Sequence, residues 1–93
     1  MPKVKLIECP RDAMQGIKTH IPAKEKAKYI QSLLGCGFDT IDFGSFVSPK
    51  AIPQMQDTAE VLGLLDLSRT QSKLLAIVAN VRGAQDACEH ESI

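Results

Sequence analysis

Three short runs able to form strands alternate along this chain with segments of helical periodicity. The runs are Val4 to Ile7, Phe38 to Phe43 and Leu74 to Ala79. A β-α-β-α-β-α order with short connections favours a parallel sheet with right-handed crossovers, and few other folds accommodate it. The last run is almost continuously apolar, as expected of a parallel strand covered on both faces. A first helix is expected from near Pro22, because proline suits a first helical turn. Ala27, Ile30, Leu33 and Leu34 recur there at helical spacing, and Gly35 and Gly37 supply the stop. A second helix is expected from about Pro53 to Leu65, with Met55, Ala59, Leu62 and Leu65 inward, and a third from Gly83 to Glu89. Between these elements lie a polar, irregular connection from Pro10 to Pro22, a loop from Gly44 to Ile52 broken by Pro49, and a polar turn from Ser68 to Ser72. No Gly-x-Gly-x-x-Gly follows any strand, which weakens a dinucleotide-binding version. Alternation alone does not separate a doubly wound sheet from an arc of a barrel.

Size and charge narrow the function. Ninety-three residues make at most one small domain, with a modest core. Eleven Lys and Arg balance eleven Asp and Glu. That balance argues against an electrostatic nucleic-acid binder and against a polybasic membrane anchor. The longest apolar run, Leu74 to Ala79, is far short of the roughly 20 residues a membrane helix needs. Met1-Pro2-Lys3 opens neither a secretory signal nor a transit peptide. Cys9, Cys36 and Cys88 are odd in number and without paired spacing, so a reducing cytoplasm is the expected setting.

In parallel α/β folds, reactive groups gather at the carboxyl ends of the strands. Arg11, Asp12 and Gln15 follow the first strand, Asp42 and Ser45 end the second, and Asn80 and Arg82 follow the third. All should therefore face one side of the sheet. A carboxylate such as Asp12 is a hard oxygen ligand suited to Mg²⁺ or Mn²⁺. A guanidinium such as Arg11 holds a carboxylate or a developing enolate oxygen through paired hydrogen bonds. Against this stands the plainer reading of a solvated loop with a surface ion pair. His20 and His90 lack ligand spacing and read as surface residues. Cys9, beside Arg11, reads as a small buried hydrophobe at a strand end. The helix carrying Tyr29 reads as ordinary packing against the sheet.

Pro10-Arg11-Asp12-Ala13-Met14-Gln15 and Ser45-Phe46-Val47-Ser48-Pro49-Lys50, followed by Ile52-Pro53-Gln54-Met55, resemble the hydroxymethylglutaryl-coenzyme A lyase family. Asn80 and Gly83 match an Asn-x-x-Gly after the third strand of that family. The resemblance runs from Val4 to about Glu91. It implies the first three βα units of a TIM (β/α)8 barrel, truncated, since a whole barrel needs roughly 250 residues. It also implies metal-dependent cleavage of 3-hydroxy-3-methylglutaryl-CoA to acetoacetate and acetyl-CoA. By the same resemblance Asp12 is a metal ligand, Arg11 stabilises enolate character, and Gln15 supports that site. Asp42 stands where the family has a glutamate that arranges the substrate, and Ser45 and Asn80 bind substrate. Asp42 is one methylene shorter than that glutamate, and Cys9 and Ala13 replace common glycines. The family's His-x-His ligands, its later asparagine ligand and its catalytic cysteine loop have no counterpart here.

The expectation is therefore the N-terminal portion of such a lyase, inactive as an isolated chain, with an acyl-CoA substrate and an incomplete Mg²⁺ or Mn²⁺ site. The alternative is a non-catalytic α/β module that binds ligand or assembles with another fragment, or a piece of a related acyl-CoA lyase or synthase. An open sheet edge would then be the place of self-association.

Overall fold

The computed structural model describes residues 4–48 and 50–93. Residues 1–3 and Pro49, the expected loop breaker, lie outside the described residues. Three strands, β1 (Ile7–Glu8), β2 (Thr40–Ser45) and β3 (Lys73–Ile77), form one parallel sheet in the order β1-β2-β3. Helix α1 (Pro10–Gln15) and helix α2 (Ala23–Leu34) both lie between β1 and β2 in the chain. A 3₁₀ turn (Pro53–Met55) and helix α3 (Thr58–Leu64) lead to β3, and helix α4 (Val81–Cys88) follows it. α2 and α3 pack on one another and both touch β2, so one face of the sheet carries them. Strands added in sequence order in one direction fit an arc of a barrel, and equally one half of a doubly wound sheet, which reverses only at its switch point.

β2 is the centre of this arrangement. All six of its residues are buried, including Ile41 and Phe43 in the core. Against them pack Ala27, Ile30 and Leu34 of α2, Val61 and Leu62 of α3, and Met55. Leu34 follows Ile30 by four residues and Ala27 precedes it by three, so these side chains share one stripe of the helix. The chain turns out of α2 through Gly35 in a right-handed conformation, and among the described residues only Gly37 takes a positive φ, 84°. A side chain there would be strained, so Gly37 is where glycine's freedom is used.

Several elements differ from the sequence expectation. β1 is Ile7–Glu8, later and shorter than Val4 to Ile7, and Val4 and Leu6 ahead of it are exposed. The connection expected to be irregular contains α1, whose first residue is Pro10, a favoured first helical position. The second helix splits into a 3₁₀ turn and α3, and its inner face is Thr58, Val61 and Leu62, with Ala59 exposed. β3 is not covered on both sides: Leu74 is buried but Leu75 is 38% exposed, since β3 is an edge of the sheet. Cys9 is exposed and does not fill the core, whereas α2, the helix carrying Tyr29, packs against β2 as expected.

The β2–β3 ladder carries one irregularity. Asp42 pairs with Leu75 and Gly44 with Ala76, so Phe43 is an extra residue on β2. A bulge of this kind bends a strand and redirects the side chains after it. Beyond it, Gly44 lies against α3: a Cβ there would stand 2.5 Å from Thr58 Cγ2 and 2.9 Å from its Oγ1. Thr58 is itself fixed, because its hydroxyl donates to the Met55 carbonyl (2.8 Å) and accepts from the Ser45 amide (3.1 Å). A Gly44→Ala substitution should therefore cost about 1–3 kcal/mol by overpacking. Urea unfolding of G44A, T58S and the double variant measures it. The double variant should lose less than the sum, because serine lacks Cγ2, and strict additivity would show that the two sites do not touch.

Across the surface, Gln31 clasps Asp66: its Nε2 donates to the Asp66 carbonyl at 3.0 Å and its Oε1 accepts from the Asp66 amide at 2.8 Å. The Ser68 hydroxyl and amide both donate to the Asp66 carboxylate, which holds its pKa below the ordinary carboxylate value. A depressed carboxylate adds stability above its unfolded pKa and loses it as pH falls through the folded value. Ser68→Ala should move the Asp66 titration upward toward the ordinary carboxylate value, read by carbon NMR. An unchanged titration would refute the hydrogen-bond cause.

Candidate active site

The site is built where β1 and β2 end. α1 begins two residues after β1 and has six residues, too few to be stable alone. It is anchored by Pro10, fully buried, and by Met14, 4% exposed. With these two inward, Arg11 and Gln15 lie four residues apart on one side of the helix. Arg11 turns toward β2. Its Nε lies 3.0 Å from both Asp42 carboxylate oxygens, and its Nη2 donates to Oδ2 at 2.9 Å. Its Nη1 donates to Gln15 Oε1 at 2.8 Å.

Both partners of this pair are removed from water, with side-chain exposures of 12% for Arg11 and 7% for Asp42. The hydrogen bond to Asp42 raises the Arg11 pKa, against the opposing effect of burial; the charges of Asp42, Asp12 and Cys9 add to the rise. A raised cationic pKa stabilises below the unfolded value and is lost only as pH climbs through the folded one. For an arginine that window lies above about pH 12, so Arg11 stays charged at every working pH.

Asp12, the next residue, is exposed, and its side chain has no hydrogen bond or ion pair among the described residues. Its oxygens are therefore available, as a metal ligand requires. Among the described residues, however, no group of three or more His, Cys, Asp or Glu side chains is close enough to hold an ion. Asp12 fits as one hard oxygen ligand of a divalent metal, and the described residues supply no complete set.

The structure joins Arg11, Gln15 and Asp42. It does not link Ser45 or Asn80 to them by any hydrogen bond among the described residues. Ser45 is buried, and its Oγ accepts from the Val47 amide at 3.0 Å. It lines a cleft of about 270 Å³ with Phe46, Thr58 and His90. His90 is half-buried there, stacked on Phe46 with ring centroids 5.5 Å apart, and is less exposed than a surface reading implies. Asn80 caps α4, its Oδ1 accepting from the Gly83 amide at 2.8 Å. The spacing Asn80-x-x-Gly83 thus has a local cause. The cap needs its acceptor three residues ahead of the amide, and a Cβ on Gly83 would stand 2.8 Å from the Phe46 carbonyl oxygen. Arg82 is exposed at the rim of the same corner.

Sequence reasoning missed a second polar cluster behind α1. Lys26, 2% exposed, donates from Nζ to the Gln54 carbonyl and to Asp57 Oδ1 (2.7 Å). His20 Nε2 lies 3.6 Å from Asp57 Oδ2. One signal was available: Lys26 stands four residues before Ile30 and eight before Leu34, on the inward stripe of α2.

A three-stranded parallel α/β sheet with an arginine–carboxylate pair at the carboxyl ends of its strands defines the class: a parallel α/β fold with its polar site at the strand ends. No family model matches the chain. Individual proteins do. A Pseudomonas aeruginosa 3-hydroxy-3-isohexenylglutaryl-CoA/hydroxy-methylglutaryl-CoA lyase is 39% identical over 88 residues, covering 94% of this chain and 29% of the relative. A cytoplasmic 3-hydroxy-3-methylglutaryl-CoA lyase of Rattus norvegicus is 36% identical over 85 residues, covering 90% and 24%. The crystal structure of a hydroxymethylglutaryl-CoA lyase from Pseudomonas aeruginosa aligns with TM-score 0.85 at 38% identity, over 94% of this chain and 29% of that one. One from Acinetobacter baumannii, in complex with coenzyme A and 3-methylmalate, aligns with TM-score 0.88 at 35% identity, over 95% and 29%. The chain is a homologue of a segment of the hydroxymethylglutaryl-CoA lyases, and it spans less than a third of the length of these relatives.

Breaking the buried pair should be expensive. Asp42→Leu or Arg11→Leu alone leaves an uncompensated charge and should cost about 3–5 kcal/mol. The double Leu variant should lose much less than the sum of the two. Chemical denaturation of the three variants checks this, and an additive double variant would mean that the pair is not coupled.

Proposed function

We propose that this chain supplies the Arg11–Asp12–Asp42 portion of a metal-assisted carbon–carbon lyase acting on 3-hydroxy-3-methylglutaryl-CoA or a closely related 3-hydroxyacyl-CoA. The observation that carries the proposal is the Arg11–Asp42 pair. It stands at the strand ends of a chain homologous to lyase segments, with an uncommitted carboxylate, Asp12, beside it. In the cleavage, the C3 hydroxyl gives up its proton to a base and the C2–C3 bond breaks. C3 becomes the ketone of acetoacetate, and the bonding electrons pass to the thioester enolate of acetyl-CoA, which then takes a proton at C2. Arg11 commits one N–H each from Nε, Nη1 and Nη2 to Asp42 and Gln15. A guanidinium has five such donors, so two remain for the oxygen on which the enolate charge develops. Asp42 and Gln15 keep the guanidinium in place, and because the pair is already desolvated no reorganisation is needed as charge develops. A divalent metal, Mg²⁺ or Mn²⁺, bound in part by Asp12 supplies Lewis-acid polarisation of the substrate oxygens.

The acyl-CoA substrate class is supported by the coenzyme A in the Acinetobacter structure, and the breadth of acyl group by the two substrates in the name of the Pseudomonas relative. Cytoplasm is the setting we propose. Three exposed free cysteines suit a reducing compartment, and the relatives' names include a cytoplasmic form beside mitochondrial ones. No helix among the described residues is long and apolar enough to cross a membrane.

A second reading, self-association or assembly with another fragment, has its own support. Both sheet edges are strands flanked by exposed apolar residues: Val4, Leu6 and Ile7 at β1, Leu75, Val78 and Val81 near β3.

The test is a chimera in which this chain replaces the matching segment of the Pseudomonas lyase. Divalent-metal-dependent release of acetoacetate is expected. Arg11→Gln should lower kcat by about 10²-fold or more, with Asp12→Ala at least as damaging. A folded, metal-competent chimera without activity would sink the lyase reading. The 93-residue chain alone should be inert, and sedimentation should find it self-associated if the second reading holds.

A further inference from the structure

The segment Ile52-Pro53-Gln54-Met55 has no part in the chemistry above, yet Gln54 is among the most constrained polar side chains in the molecule. It is 6% exposed. Its Nε2 donates to the carbonyls of Ile17 and Thr19, both at 2.9 Å, and its Oε1 accepts from the Ile21 amide at 2.8 Å. One side chain thus binds three backbone groups of the loop that leaves α1. That loop makes few bonds of its own, and its residues from Gly16 to His20 are exposed. Gln54 is in turn held from behind, since Lys26 Nζ donates to its carbonyl and is anchored on Asp57.

We propose that Gln54 is a positioning residue: it fixes the exit of α1 and so sets the approach of Arg11 to Asp42. The argument is mechanical. α1 makes no side-chain cap at Cys9, and its last residue, Gln15, is the partner of Arg11 Nη1. Ile17, the first group clamped, donates its amide to the Met14 carbonyl at 3.0 Å, so clamp and helix end share one residue. α1 also touches the 3₁₀ turn directly. The far wall of the pair, Asp42, sits on β2, and a single stretch of chain runs from Asp42 to Gln54. That stretch therefore supplies both the carboxylate that receives Arg11 and the clamp that aims it. Hydrogen bonds from one buried side chain to three of its backbone groups restrain a loop that has no secondary structure of its own.

The proposal concerns the geometry of the site described above and rests on the lyase reading only for its catalytic meaning. Its test reads Arg11 directly, so a failed lyase assay and a failed positioning role remain distinguishable. The guanidinium Nε–H of Arg11 can be followed by nitrogen-edited NMR in the 93-residue chain. Arg69 and Arg82, the other two arginines, are exposed and should exchange quickly. Gln54→Glu keeps the acceptor for Ile21 and removes both donors; Gln54→Met keeps the volume and removes all three bonds, and stands in if the first variant does not fold. Gln31→Glu is the control, because Gln31 makes the same kind of clasp on Asp66, away from Arg11. Exchange of the Arg11 Nε–H with solvent should quicken about tenfold or more in either Gln54 variant, while amides of β2 and α2 keep their protection. In the Gln31 variant it should follow global stability alone. Equal effects of the two clasps at matched stability, or an Arg11 signal unchanged in both Gln54 variants, would overturn the proposal.

Discussion

A carboxylate buried in the central strand is the constraint on which this structure turns. Asp42 sits in β2, where every residue is shielded from water. An unpaired charge there would be costly, so a cation must be delivered to it. Arg11 is that cation, and it arrives on a helix of only six residues. Docking α1 and neutralising Asp42 are thus one event. Hydrophobic anchoring by Pro10 and Met14 brings the helix to the sheet, and the ion pair fixes its rotation. Among the described residues no buried side-chain nitrogen or oxygen lacks a partner. The polar interior is therefore closed, and Asp12 remains as the uncommitted carboxylate beside the pair.

Much of this was legible in the sequence because it follows from local rules. The α2 stripe of Ala27, Ile30 and Leu34 and the glycines after it are periodicity and turn chemistry, and the strand alternation dictates a parallel sheet. The grouping of Arg11, Gln15 and Asp42 was legible too, since parallel strands bring their carboxyl ends to one edge. What was hidden depends on contacts distant in sequence. That Thr58 governs Gly44, that Gln54 holds residues 17, 19 and 21, and that Lys26 is buried on Asp57 are all pairings across 14 to 37 positions. No periodicity reports such pairs. α1 was misread for the opposite reason: its apolar content is two anchors, too few to register as a stripe. Leu74 to Ala79 misled because an apolar run states what a strand can bury, and an edge strand does not bury it all.

The motifs that mark the homology divide by physical task. Pro10 to Gln15 carries a charge to the sheet and holds one carboxylate ready beside it. Ser45 to Met55 is mostly scaffolding: a serine that closes its own turn, and a glutamine that grips the neighbouring loop. Asn80 and Gly83 begin a helix that passes close to Phe46. A segment can thus identify a relationship while contributing geometry more than reactive groups.

The extra residue in β2 has a consequence for how the sequence can vary in length. Because Phe43 has no partner on β3, the two halves of β2 run in different phase: residues before it and residues after it answer to opposite alternations. Removing the one residue between Asp42 and Gly44 would give a regular ladder, yet it would take Phe43, 2% exposed, out of the core. Insertions and deletions in surface loops are tolerated. Here the count of residues is itself part of the information, so this strand is expected to tolerate changes of side chain better than changes of length.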